Sequence, residues 1–395
     1  MEAGSPDLLR EFLRQEHVAN RLRALRQPSV GRFLGAVLFN YAFIAATIGL
    51  SITSGFWWLW PVAIVLIAAR QHALLVLMHE GAHRSISRNR ALNDLLSDLL
   101  CGAPLLVSTR SYREAHLAHH QHLNSEADPD WCRKVDHEPD RNQWLFPAEV
   151  PLWQLLVKLY GHSVAYLLKS LSDNQRSASE APAPQENGLT DSTLAALKYG
   201  LYALVGLLLT LSSAWTGFLI YWLSPMLLVL PLIMRIRSIA EHFALRHDHP
   251  LRQTRTVRAG WLERLVLAPH HIGLHIDHHL QASIPFYQLP KLHQLLLECP
   301  DYQANAHIND GYFLRSRQAR KPLRKPLRKP LMAQDLYSTP SVVLQPAKVS
   351  EPEQTPIIGP GSTVQLARGQ DSDVAQFKQE YQQEYDQAGT TNAAS

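Results

Sequence analysis

The sequence predicts an all-α integral membrane protein, with four transmembrane helices in two hairpins, interfacial helices beside them and a cytosolic helical cap. Three observations carry this expectation. Four charge-poor apolar runs are each long enough to cross the hydrocarbon of a bilayer. Histidine is abundant, 20 of 395 residues, and its clusters stand just past the ends of those runs. Finally, 46% hydrophobic and 18% charged residues exclude disorder throughout, so a mean hydropathy of −0.14 is the average of apolar and polar blocks.

The first run, Phe33 to Ser54, carries no charge and at helical rise covers roughly 33 Å, slightly more than the hydrocarbon thickness. Phe56 to Met78 follows after a turn at Gly55 too short for a domain, so the pair forms an antiparallel hairpin. Ala195 to Ser213 and Trp215 to Met234 make the second hairpin, with Lys198 placed to snorkel at its entry. Arg70, Gln71 and His72 lie in the last third of the second span, where polar groups face a bundle interior or a cavity.

Orientation follows from the flanks. Arg10, Arg14, Arg21, Arg23, Arg26 and Arg32 precede the first span, Arg84, Arg88 and Arg90 follow the second, and Arg235 and Arg237 follow the fourth, which makes those sides cytosolic. The opposite turns are uncharged and flanked by Trp57, Trp58, Trp60 and Trp215, as an interfacial belt is. Residues 1–32 are charged, without a continuous apolar core, and read as a cytosolic amphipathic segment. Leu92–Val107, interrupted by Asp94 and Asp98, and Leu152–Leu171, interrupted by Lys158, His162 and Lys169, are expected at the interface. Ser172–Ser192 reads as a linker, and residues 33–314 as one membrane domain. The tail, 315–395, opens on RKPLRKPLRKPL, whose prolines forbid a regular helix, and is expected to be disordered, with a lone helix over Asp371–Ala388. Cys101, Cys132 and Cys299 are too few and scattered for a disulfide framework, and a net charge of +4 does not point to nucleic acid.

The chemistry lies in the histidines. His79-Glu80-Gly81-Ala82-His83 places two imidazoles on one helical face. By itself it matches the zinc hydrolase pattern, with Glu80 as general base. His116, His119 and His120 stand at i, i+3 and i+4, and the same spacing returns at His275, His278 and His279; His242 ends a fourth element. With His271 one helical turn before His275, ten imidazoles share one membrane face. One zinc needs three or four ligands, so the set implies two metals with four or five nitrogens each. A redox pair beside a lipid-filled cavity favours iron. Each ligating imidazole needs an acceptor for its other N–H, a role open to Glu80, Glu114, Glu241, Asp277, Asp128 and Asp130. The bland alternative for Asp128-Pro129-Asp130 is a helix-starting turn.

HEGAH, HLAHHQH followed by DPD, and HHIGLHIDHHLQASIPFYQLPKLH resemble the three histidine boxes of membrane fatty acid desaturases and hydroxylases, in order, spacing and membrane placement from about residue 33 to residue 300. The resemblance implies a non-haem centre of two iron ions at the cytosolic face, ligated by the histidines above, that uses O2 and two supplied electrons to oxidise an unactivated C–H bond. Relatives often carry asparagine where His271 stands, so His271 is expected either as a ligand or as an outer partner. His270 is expected at the surface, and His122 fits a family position of unassigned role. An acyl tunnel is expected between the second and fourth spans, its substrate head near Arg70, His72 or the cytosolic cap. No haem, flavin or nicotinamide fingerprint is present, so electrons must come from a partner, which the resemblance implies is a ferredoxin or a separate cytochrome. Desaturation of a fatty acyl chain is the favoured reaction, with hydroxylation or ketolation on the same centre as the alternative. An intramembrane zinc protease leaves both HxxHH triplets idle, and a metal transporter would bury its ligands midway across the bilayer.

Overall fold

The computed structural model describes residues 6–125, 127–130, isolated positions between 157 and 164, 190–242, 245 and 249–312. Most of Leu152–Leu171, nearly all of the linker and the whole tail lie outside the described residues. The chain divides into two units, Met1–Leu331 and Met332–Ser395, and everything below concerns the first.

Two short amphipathic helices, α1 (Pro6–Arg14) and α2 (Glu16–Leu25), lead to α3 (Val30–Thr53). Ser29 caps α3 by accepting from the Arg32 amide at 3.4 Å. Gly55, at φ 67°, turns the chain into α4 (Leu59–Ala82). The hairpin is thus as expected, but α4 runs four residues beyond Met78 and carries His79 on the spanning helix itself. At the far turn Trp57 and Trp58 are exposed, as an interfacial belt requires. The buried apolar residues of α1 and α2, among them Leu9, Phe12, Val18 and Leu22, face the protein, and Arg21 pairs with Glu298 at 2.7 Å. The amino-terminal helices therefore lie on the same end of the bundle as the histidine-bearing cap.

The segment expected to lie at the interface is instead bent and re-entrant. It comprises α5 (Arg90–Ser97), a π turn (Asp98–Gly102), a 3-10 turn (Ala103–Leu105) and, after Leu106 at φ 60°, α6 (Thr109–Gln121), with a 96° change of direction. It returns to the side it left, because α6 brings His116 Nε2 to 2.9 Å from His83 Nε2. An irregular backbone at this depth needs internal partners. The carbonyls of Leu100, Ala103 and Pro104 accept from Tyr41 at 2.8 Å, Tyr202 at 3.0 Å and Trp222 at 3.0 Å. The two acids that break the apolar run are both engaged: Asp94 pairs with Arg113, and Asp98 accepts from the Thr109 amide at 2.7 Å with Lys198 at 3.6 Å.

The third span, α7 (Asp191–Leu211), begins four residues earlier than expected because Thr190 caps it. The fourth is broken into α8 (Trp215–Phe218), a π segment (Leu219–Leu223), α9 (Ser224–Leu228) and α10 (Leu230–His242). Pro225 and Pro231 remove amide donors from it. It ends at His242 instead of Met234, so Glu241 and His242 belong to the span. Gln71 donates to the Trp222 carbonyl at 2.8 Å, which pins the second and fourth spans together where an acyl slot was expected. The cap follows: β1 (Thr256–Val257), α11 (Trp261–Val266), α12 (His275–Leu280), α13 (Leu289–Leu296), α14 (Pro300–Asn305) and β2 (Ile308–Asn309). The two strands pair in parallel, Thr256 with Ile308.

Gly81 sits where α4 meets the re-entrant segment. A Cβ there would lie 2.0 Å from Ser97 Oγ and 2.3 Å from Ser97 Cβ, closer than either helix can yield. Gly81→Ala is expected to destabilise the protein by about 1–3 kcal/mol, read as a lower thermal midpoint in detergent, and Ser97→Gly in the same chain to recover most of the loss.

Candidate metal centre

Helical spacing builds the centre. On α4, His79 and the capping residue His83 face one side, with ring centroids 4.7 Å apart. On α6, His116 and His120 share a face and their Nε2 atoms stand 3.0 Å apart, while His119 points elsewhere. On α12, His275 and His279 share a face with Nε2 atoms 3.1 Å apart, and His278 is the odd one. Where α6 meets α12, the odd residue of each triplet joins the pair of the other. His278 Nε2 lies 3.2 Å from His120 Nε2, and the His119 ring stands 5.2 Å from that of His279. His242, at the end of α10, places its Nε2 2.8 Å from His275 Nε2. Nine of the ten expected imidazoles thereby gather into two sets: His79, His83, His116, His120 and His278 in one, and His119, His242 and His279 in the other, which His275 joins through His242 at 2.8 Å and His279 at 3.1 Å. The rings of His120 and His279, stacked 4.1 Å apart, form the partition.

This donor set fits metal ions. Donors held about 2.1 Å from a common ion stand roughly 3.0–3.5 Å apart, and the Nε2 atoms meet one another at 2.8 to 3.2 Å. Direct hydrogen bonds cannot satisfy so many convergent nitrogens, since each neutral ring has one N–H to give. His79 shows the deficit, fully enclosed with neither ring nitrogen bonded to protein. Burial first, and the neighbouring positive groups next, push the pKa of His83 down to about 3. The same causes hold His116, His120, His275, His278 and His279 well below the ordinary imidazole value. All are neutral at pH 7, the form that ligates.

The expected outer partners divide. Asp128 accepts from His119 Nδ1 at 3.0 Å with both oxygens, and also from the amides of Asn124 at 2.9 Å and Asp130 at 2.8 Å. It is both turn residue and imidazole orienter. Asp130 lies close enough to His116 for its charge to act there. Glu241 Oε2 stands 3.6 Å from His275 Nε2. Asp277 orients none of the nine; it accepts from His293 at 2.9 Å, Tyr302 at 3.1 Å and Thr256 at 3.0 Å, anchoring α12 to the cap. Glu114 is exposed on the outer side of α6. Glu80 accepts from Ser85 at 2.8 Å and from the Phe286 amide at 2.9 Å, tying the first box to the loop after the third. A hydrolase base would have to present its carboxylate to the metal, whereas Glu80 Oε2 is held by these two protein donors.

His271 stands apart from both sets. Helix α12 begins only at His275, and His270 and His271, at φ 54° and 60°, turn the chain before it, so no helical turn relates His271 to the third box. His270 is not at the surface; its Nε2 lies 3.1 Å from Asn40 Nδ2 and its ring meets Phe286 at 5.0 Å. Arg70 donates to Asn40 and to the Leu265 carbonyl, and His72 Nε2 stands 3.3 Å from Arg237 Nη1, so both are committed to protein partners. Sequence reasoning missed three contributors. Tyr112, one turn before His116, puts its hydroxyl 3.3 Å from His116 Nδ1, and only the i, i+4 spacing would have flagged it. Arg113 donates to the Ala82 carbonyl at 3.0 Å and the Gly81 carbonyl at 2.9 Å, capping the end of α4 beside His83. Arg237, read as a topogenic charge, grips Glu241 at 2.8 Å.

Membrane-length helices carrying a paired imidazole cage at one end define a multi-pass membrane protein with the donor set of a metal-dependent redox enzyme. Comparison with known proteins says which kind. The family model described as fatty acid desaturase matches residues 55–309, and the chain belongs to that family. The chain is 28% identical over 319 residues to the dihydrorhizobitoxine desaturase of Bradyrhizobium elkanii, covering 77% of this chain and 86% of that one. It is 23% identical over 309 residues to an sn-1 acyl-lipid omega-3 desaturase (ferredoxin) of Synechocystis, covering 73% and 84%. With the sn-1 oleoyl-lipid 12-desaturase of the same organism the identity is 25% over 257 residues, covering 61% and 69%. The protein is an oxidoreductase of the desaturase type.

Removing the carboxylate behind His119 tests the centre directly. Asp128→Ala is expected to weaken metal binding about 10- to 100-fold, measured by competition with a chelator, while the helical circular dichroism stays unchanged.

Proposed function

We propose that the protein desaturates a fatty acyl chain with O2 and two electrons from a ferredoxin, on two iron ions held by the two histidine sets. The single observation that carries this reading is the gathering of nine imidazoles into a set of five and a set of four, with His79 and His83 at the end of one membrane-length helix and His242 at the end of another. Bound there, an iron pair supplies the oxidant that removes two hydrogens from adjacent carbons; with two electrons and two protons these reduce O2 to two waters.

The chain's own residues do the rest. His119 is oriented by Asp128 and His116 by Tyr112, so their Nε2 atoms stay aimed inward. On the membrane side of the cage lies an apolar cluster of Phe33, Val37, Leu74, Leu77, Met78, Cys101 and Leu105, with Tyr41, Trp222 and Met226 against it. It excludes water from the oxidant and offers a methylene chain a surface of its own kind. The arginines at the cage end support a cytosolic orientation for the metal site and the amino terminus. Two acyl-lipid relatives named for ferredoxin support that donor. A second reading has a specific observation behind it. The relative named for dihydrorhizobitoxine is not named for an acyl lipid, so a non-lipid substrate is the alternative on the same centre.

Purified protein is expected to carry about two irons per chain, and cells expressing it to gain acyl double bonds absent from cells expressing His120→Ala. Added hydroxyl or keto oxygen in the lipids would assign the alternative oxidation. Unchanged lipids together with a new alkene in the polar extract would assign the alternative substrate, and one zinc per chain would sink the di-iron reading.

A further inference from the structure

We propose that Glu241 supplies a carboxylate oxygen inside the cage, as a fifth donor beside His119, His242, His275 and His279. The two positions then differ in kind, five nitrogens at one and four nitrogens with one oxygen at the other. The inference rests on the di-iron reading and deepens it.

The argument is which nitrogen the carboxylate faces. An outer partner bonds the ring nitrogen opposite the ligating one, as Asp128 does at His119 Nδ1. Glu241 instead approaches His275 at Nε2, with Oε2 at 3.6 Å, and that same Nε2 stands 2.8 Å from His242 Nε2 and 3.1 Å from His279 Nε2. The carboxylate oxygen therefore shares the space into which the imidazoles converge. Donor atoms of Glu241, His242 and His275 all lie within 4.8 Å of one another, and no carboxylate belongs to the His79 set among the described residues. Arg237 Nε holds Oε1 at 2.8 Å and Oε2 at 3.0 Å, with the Tyr312 hydroxyl 3.5 Å from Oε1. The same Oε2 that accepts from Arg237 Nε at 3.0 Å lies 3.6 Å from His275 Nε2, so the grip of Arg237 sets that oxygen at the cage. Glu241 is buried, with 2% of its side chain exposed, and Arg237 is partly buried, with 20% exposed. Arg237 fixes the orientation and offsets the charge, and His72 closes the chain at 3.3 Å from Arg237. The set with one imidazole fewer is thus the set with a carboxylate at hand.

The experiment uses the full-length protein loaded with iron-57, read by iron content and Mössbauer spectroscopy. Wild-type protein is expected to give two doublets of equal area and different splitting. Glu241→Gln, which keeps the bulk and an acceptor but not the charge, is expected to lower iron about twofold, from about two to about one per chain, and to erase one doublet while leaving the other. Arg237→Gln, which leaves the carboxylate in place, is expected to retain both irons. Glu241→Gln protein with two irons and an unchanged spectrum overturns the proposal. So does a single doublet from wild-type protein, a result that needs no variant to fold. Wild-type protein without iron sinks the di-iron reading itself, a separate failure.

Discussion

Convergent imidazole lone pairs are the constraint on which the rest of this structure depends. Nine rings point nitrogen at nitrogen in a buried space, and in the absence of a cation that arrangement is repulsive and short of hydrogens. Two of the rings are held by groups outside the space. Asp128 grips His119, and Tyr112 faces His116. Asp277 never touches a ligand, yet it nails α12 to Thr256, His293 and Tyr302 so that all three of its histidines arrive together. Burial then keeps His83, His116, His120, His275, His278 and His279 neutral, so the same desolvation that makes the cage costly also puts them in the binding form.

The repeated triplet explains how one spacing serves two positions. On a helix, residues i and i+4 share a face while i+3 is turned aside. When two such helices meet, each pair is completed by the other's odd residue, so His278 crosses to the His116–His120 side and His119 to the His275–His279 side. The remaining imidazoles come from elements that present one face each. The end of α4 supplies two, and the end of α10 supplies one with Glu241 next to it.

What was legible in the sequence was what periodicity governs. The membrane helices follow from length and apolarity, and nine of the ten imidazoles follow from i, i+3 and i+4 spacing. The errors fall where periodicity stops. His271 stands a helical turn before His275 only if the helix is already formed there, and two left-handed residues prevent it. The interrupted run at Leu92–Val107 looks interfacial because Asp94 and Asp98 look solvated, whereas Arg113, Thr109 and Lys198, remote or unremarked in sequence, enclose them. Arg237 illustrates the same blindness, since a charge just past an apolar run reads as an orientation signal whether or not a buried carboxylate awaits it.

The buried polar clamp at the end of α4 has a physical reason beyond stability. A helix end is its weakest backbone, with its last carbonyls unpaired, yet His79 and His83 are mounted there. A frayed last turn would swing both rings by more than a ligand distance. Arg113 takes the carbonyls of Gly81 and Ala82, Asn93 donates to the Gly81 carbonyl at 2.8 Å, and Ser97 donates to the Met78 carbonyl at 3.2 Å. Asp94 neutralises Arg113, because an unpaired buried guanidinium would cost about 3–5 kcal/mol. Replacing that pair by apolar residues of equal volume would spare the desolvation and lose the caps, freeing the turn that carries two ligands. The same physics favours glycine at 81: without a Cβ there, Ser97 approaches closely enough to bond the carbonyl of Met78, next to His79. Polar burial here is the means by which a membrane helix ends abruptly and still delivers two rings to a fixed place.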